Sequence, residues 1–223
     1  MNAFIDTNVS ISYIFKIDSL NNKAKNVFRE YENLYISDLV KEEIDEVFQE
    51  KRDILVDFFN ELSKNLKSKK CIIISFKDLK DYLNQLDYTE EEYERVKSSL
   101  KKFWFDYINE SFPKNQIVQT GVSKCLNDLD IFIFSKKEEM ENMVNITEKR
   151  RKKYNVIKKE LEKYNVHKKD IEIVLDAHDF NLQTQKKLDF ITFDEDLFKG
   201  VLKIEKFSFK NIKGRNDFFA RFN

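Results

Sequence analysis

Apolar positions come in short runs at the two ends of this chain and recur at helical spacing between them. Residues 2–8 read as a first strand. Residues 11–14 and 24–31 carry helical spacing, with Asn21-Asn22 as a break between them. Residues 34–36 are a second short strand, and Ser37 is placed to cap a helix with the apolar stripe Val40, Ile44, Val47 and Phe48. That helix runs on or restarts through 54–66. Residues 71–74 are β-rich, and 77–166 are mostly long helical pattern. Ile171, Val174, Leu175 and His178 mark a helix starting near Asp170, after which 188–193 and 204–209 read as strands. Strands alternating with helices at both ends predict an α/β fold with a central parallel sheet and helices inserted between its halves.

Two of these strands end on carboxylates. Phe4-Ile5 leads into Asp6, and Phe190-Ile191-Thr192-Phe193 leads into Asp194-Glu195-Asp196. In an open parallel sheet the carboxyl ends of the strands line one crevice, where ligands bind. Carboxylates gathered there repel unless a hard divalent cation neutralises them. An acidic, metal-binding crevice is therefore expected.

Helix geometry selects two further acids. Glu43 lies three residues after Val40 and four before Val47, on the buried stripe, whereas Glu42 and Glu46 fall on the outer face. An unpaired buried carboxylate is costly, although a Glu at the rim of the stripe with its head in water is a simpler alternative. Asp170 shares the packed face of Val174 and Ala177, while Asp176, about 240° round, is expected to face out. Asp170 could instead be an ordinary helix-start acid, and Asp6, Asp194 and Asp196 ordinary turn residues.

Composition narrows the class. The 223 residues are 41% apolar and 36% charged, with three glycines, one proline and 21 phenylalanines, which suits a helix-rich globular protein with an aromatic core. The formal charge is zero, so a polyanionic partner would need a local patch. Cys71 and Cys125 lack metal-ligand spacing and read as free thiols of a reducing compartment. With no signal peptide and no membrane span in the pattern, a cytoplasmic location is expected.

The segments Phe4-Ile5-Asp6-Thr7-Asn8-Val9, Ser37-x-x-Val40-x-x-Glu43-Ile44, Asp170 with Ala177, and Phe190-Ile191-Thr192-x-Asp194-x-Asp196-Leu197-Phe198 together resemble the PIN-domain family of nucleases. The resemblance covers roughly residues 2–50 and 165–200. It implies a three-layer α/β/α sandwich and Mg²⁺- or Mn²⁺-dependent phosphodiester hydrolysis, usually of RNA. Asp6, Glu43, Asp170 and Asp194 match the metal-binding acids, Asp196 an accessory acid, and Thr7, Asn8 and Thr192 the supporting polar residues. The stretch from Glu43 to Asp170 is longer than in small toxin-type members. It implies a discontinuous core, 1–50 and 165–223, with a mostly helical insertion over 51–164 that is a candidate interface for a second copy or a protein partner.

A basic segment precedes Asp170. From Glu148 to Lys169 there are ten basic and three acidic residues, net +7. Lys149, Arg150, Arg151, Lys152, Lys153, Lys168 and Lys169 are candidates to hold phosphates, as is His167 from its loop position. The alternative is a solvated helix face with partners such as Lys158 and Glu162. His178, on the apolar stripe, reads as a core histidine. The expected function is a metal-dependent endoribonuclease. A structure-specific DNA nuclease, or a non-catalytic nucleic-acid- or protein-binding module, is the alternative.

Overall fold

A computed structural model describes residues 1–110 and 113–218. Its centre is an all-parallel sheet of five strands: β1 (Asn2–Ile5), β2 (Asn33–Ile36), β3 (Val144–Ile146), β4 (Asp189–Ile191) and β5 (Asn211–Lys213). The spatial order is β3-β2-β1-β4-β5. The chain steps outward from β1 to β3, then returns across the sheet and steps the other way from β4 to β5. The direction of winding reverses between β1 and β4, the position where such sheets open a binding crevice. Winding both ways from the centre is compatible with helices on both faces.

Asp6 ends β1 rather than continuing it. Its side chain accepts from the Thr7 amide at 2.7 Å and caps α1 (Thr7–Ile14), so the expected strand over 2–8 stops at Ile5. The Asn21-Asn22 pair opens α2 (Asn21–Glu30) instead of breaking the pattern. Ser37 caps α3 (Asp38–Lys67) as expected. At 30 residues, and so about 45 Å, α3 spans far beyond the sheet. Its far half buries Phe58 and Phe59 against Tyr82 of α4 (Phe76–Leu83) and Phe103 of α5 (Glu90–Phe103). The chain continues through α6 (Asn115–Asn127) and α7 (Ile133–Met143), with π-helical turns at Trp104–Ile108 and Asp128–Phe132. Then come α8 (Asn155–Glu162), α9 (Lys168–Thr184) and, after β4, α10 (Glu195–Leu202).

Three strand expectations change. Residues 71–74 form no strand: Ile72 and Ile74 are exposed, and the Ile73 amide donates to Asn115 Oδ1 at 3.1 Å instead of to a sheet neighbour. Residues 204–209 precede the true strand, β5; Phe207 and Phe209 pack around His178 rather than entering the ladder. Conversely, β3 lies inside the 51–164 range read as helical, yet it is the outer strand of the sheet, paired with β2 from Leu34↔Val144 to Ile36↔Ile146. A three-residue Val-Asn-Ile has no period to detect.

The aromatic core is real. Phe4, Phe15, Phe58, Phe59, Phe103, Phe190 and Phe218 are essentially fully buried, and Phe4, Phe190 and Phe209 form a continuous ring stack across the sheet. Few glycines do not mean few left-handed turns: Lys69, Asn109, Asn165, Gln185 and Lys187 hold those positions. Gly121 serves a close approach instead, since a Cβ there would collide with Ile108 Cδ1. Among the described residues no helix is long and apolar enough to cross a membrane.

Candidate functional site

The crevice at the β1/β4 switch point is built from strand ends and helix starts. Asp6 is 2% exposed at the head of α1. Its Oδ1 accepts from the Thr7 amide, and its Oδ2 accepts from the Thr192 hydroxyl at 2.8 Å. Thr192 in turn accepts from the Asp194 amide at 3.0 Å, so one hydroxyl bridges the two strand-end acids. Asp194 caps α10, with Oδ1 accepting from the Leu197 amide at 2.7 Å, and is exposed. Asn8 Oδ1 accepts from the Phe193 amide at 2.9 Å and locks the β4–α10 turn against α1.

The helix acids join this frame. The Thr7 hydroxyl donates to Glu43 Oε2 at 2.5 Å, which ties α3 to the start of α1. Lys169 meets Glu46 at 3.1 Å and holds the start of α9 beside α3. That sets Asp170 and Glu43, both half-buried, on neighbouring helices. Asp170 accepts no hydrogen bond from the described residues, which leaves both of its oxygens open.

Two of the acids are electrostatically perturbed. Burial, then the charge of Asp170 and more weakly Glu43, push the Asp6 carboxyl up to about 7, against the opposing hydrogen bonds from Thr192 and Thr7. Burial, then Asp194 and Glu43, push Asp170 up to about 7 as well. Asp6 and Asp170 therefore each feel other carboxylates of the crevice. Even so, among the described residues no three His, Cys, Asp or Glu side chains stand close enough to cage a metal ion as they are. Asp196, in the first turn of α10, is exposed and makes no hydrogen bond or ion pair among the described residues.

Sequence reasoning passed over Asp176. It does not face out: it is half-buried, takes a hydrogen bond from Ser37 and lies 3.6 Å from Arg150. Burial is the first cause of its raised pKa, with Arg150 and Ser37 opposing. The signal was present in the run Ile171, Ile173, Val174, Leu175, which buries α9 on more than one face and defeats a single-stripe reading.

The basic segment divides into two sets. Arg150 pairs with Glu172 and Asp176, Lys158 with Glu172 rather than Glu162, and Lys169 with Glu46. The Arg151 amide and the Tyr154 hydroxyl donate to Asp179 at 2.9 and 2.6 Å, and Arg151 pairs with Glu148. These bonds clamp residues 148–158 along α9. Lys149, Lys152, Lys153 and Lys168 are exposed and make no ion pair among the described residues. His167 is the exposed N-cap of α9, its Nδ1 accepting from the Lys169 amide at 3.4 Å. His178 is a core histidine: it is 4% exposed, bonded to Ser208 and enclosed by Tyr154, Phe207 and Phe209. Burial lowers its pKa.

Comparison of the chain with protein-family models, with curated proteins and with solved structures returns no significant match.

Proposed function

We propose that this chain is a PIN-like nuclease of three-layer α/β/α architecture, a metal-dependent endoribonuclease working at the β1/β4 crevice. The observation that carries the reading is the placement of four acids from separate elements at the switch point of a parallel sheet: Asp6 and Asp194 bridged by the Thr192 hydroxyl, Glu43 tied to Thr7 beside Asp6, and Asp170 in the first turn of α9.

The donor set fits a hard cation. It is all carboxylate oxygen, without histidine or cysteine, and Mg²⁺ and Mn²⁺ favour such ligands. Mg²⁺ keeps several waters and takes only one or two protein carboxylates. Asp6 and Asp170 are the residues that would hold it first, since burial and then neighbouring carboxylates raise their pKa values, and a cation would relieve the second of these. When bound, the ion would polarise a phosphate oxygen and lower the pKa of a coordinated water. Thr192, Thr7 and Asn8 keep the carboxylates and the β4–α10 turn in register. Lys149, Lys152, Lys153 and Lys168 would hold the strand by its phosphates, while Arg150 positions the segment that carries three of them. A cytoplasmic setting belongs to the same proposal and agrees with the free thiols of Cys71 and Cys125.

The test is incubation with labelled single-stranded RNA, hairpin RNA and DNA in Mg²⁺, Mn²⁺ or EDTA. The expected result is endonucleolytic RNA cleavage that EDTA stops and Asp170→Asn abolishes. Cleavage of DNA alone moves the reading to a DNA nuclease. Tight binding without cleavage under any metal replaces the enzyme with a binding module.

A further inference from the structure

A second site lies at the other end of α1. A half-enclosed cavity of about 310 Å³ opens between the α1–α2 connection and the two π-helical turns. It is at the small end of the range that takes small-molecule ligands, roughly 300–1,000 Å³. Ile14 lies eight residues beyond Asp6, about 12 Å along the helix, so the cavity is separate from the acidic crevice. Its wall is apolar, formed by Ile14, Ile17, Leu129 and Ile133. π-Helical turns are uncommon and concentrate at functional sites. Here one supplies Tyr107, and the other supplies Asp128, Leu129 and Phe132.

Two features of the lining ask for a ligand. The first is Lys25, half-buried, which makes no ion pair or hydrogen bond among the described residues. Its neighbours Lys16 and Lys136 also line the cavity, and each already meets a carboxylate, Asp128 and Glu139. Burial, then Lys102, Lys136 and Lys16, lowers the Lys25 pKa, against the opposing charge of Asp106. The second is Phe132, 54% exposed at the cavity and without an aromatic neighbour among the described residues, a free ring face for stacking. Asn21, 1% exposed, is part of the wall, and its Nδ2 donates to the carbonyls of Ser12 and Tyr13 at 2.8 and 3.0 Å.

We infer that this cavity binds a free nucleoside monophosphate, its base stacked on Phe132 and its phosphate held by Lys25. A flat ring and an anion are the two elements the lining lacks, and this ligand class carries both at the size available. A bare phosphate would leave Phe132 unanswered. A fatty acid has no flat ring to stack there.

Titration calorimetry of the full chain in EDTA tests the assignment with four nucleoside monophosphates, the matching nucleosides, inorganic phosphate and a 5′-phosphorylated oligonucleotide. EDTA removes any cation that could recruit phosphate to the acidic crevice. At least one monophosphate should bind, its nucleoside and inorganic phosphate each at least tenfold more weakly. Lys25→Gln and Phe132→Ala, both checked for an unchanged melting temperature, should each weaken it tenfold or more. The proposal is overturned if no monophosphate binds, if inorganic phosphate or the oligonucleotide binds as well as the best monophosphate, or if both variants bind like wild type. Binding lost in Asp6→Asn but kept in Lys25→Gln places the ligand in the crevice and overturns it too. Failure here leaves the nuclease reading standing, because that reading is judged by cleavage at the other site.

Discussion

At the residue scale, Asp6 is the most constrained group of the crevice. It is buried, caps α1, receives two hydrogen bonds and still carries a pKa near 7 because it is desolvated and Asp170 and Glu43 share its surroundings. Asp6→Asn keeps the shape, retains a carbonyl oxygen for the Thr7 amide and removes the charge. In the absence of divalent cations at pH 7.5 the substitution should raise the melting temperature by a few degrees, since ~1 kcal/mol corresponds to roughly 2–4 °C at this chain length. The same variant should lose metal-dependent cleavage and any thermal stabilisation by Mn²⁺. A melting temperature that drops, with cleavage intact, would show that Asp6 is a structural cap and nothing more.

At the element scale, the segment after β3 does two jobs. Arg150, Arg151 and Tyr154 anchor it to Glu172, Asp176 and Asp179 of α9, while Lys149, Lys152 and Lys153 stay exposed without such partners among the described residues. Neutralising those three lysines should weaken RNA binding and lower the salt dependence by about one unit of log–log slope for each phosphate no longer neutralised, with the fold unchanged. Arg150→Ala should instead destabilise the protein, because it strips a partly buried partner from Glu172 and Asp176. Thermal melts beside salt-titrated binding curves separate the two sets; equal effects from both would merge them into one surface. α3 shows a similar division. Its first turns belong to the crevice through Glu43, and its middle carries the buried Lys51, which meets Asp18 between α1 and α2. Breaking that pair leaves an uncompensated buried charge, so Lys51→Ala should cost about 3–5 kcal/mol, read as a shift in denaturant midpoint.

At the scale of the whole molecule, these groups set the pH at which the fold is strongest. Asp6 and Asp170 have folded-state pKa values raised from 3.8 to about 7, so across that window the folded protein holds more protons than the unfolded chain. Stability of the metal-free protein should therefore fall as pH rises from about 4 to about 7. Asp18 works the other way: the charge and hydrogen bond of Lys51 outweigh the opposing effect of burial and lower its pKa, a contribution lost as pH falls into the acid range. Metal-free melts should peak in mildly acid buffer, and millimolar Mn²⁺ should lift the neutral side most, because the ion binds only the folded carboxylates. A metal-free melting profile that climbs steadily to pH 8 would contradict the crowding of the crevice.

Much of this was legible in the residues. Short apolar runs ending on Asp6 and Asp194 located the two central strands, because a buried strand needs only a handful of consecutive apolar residues and its end needs a polar cap. Ser37 and the Val40–Ile44–Phe48 stripe located α3, because a 3.6-residue period is a local property. What the local pattern could not hold is anything decided by a neighbour. β3 exists because β2 offers it an edge, not because Val-Asn-Ile prefers extension, and the β-rich residues 71–74 stay a connector because no edge is offered to them. Asp176 is turned inward because α9 is covered on several sides, and Lys158 finds Glu172 instead of Glu162 because α9 brings it closer than its own helix does. The cavity beside Lys25 joins residues from 13 to 136, separations that no sequence window spans. Periodicity and capping are written along the chain. Strand partnership, charge pairing and enclosed space arise only when distant segments meet.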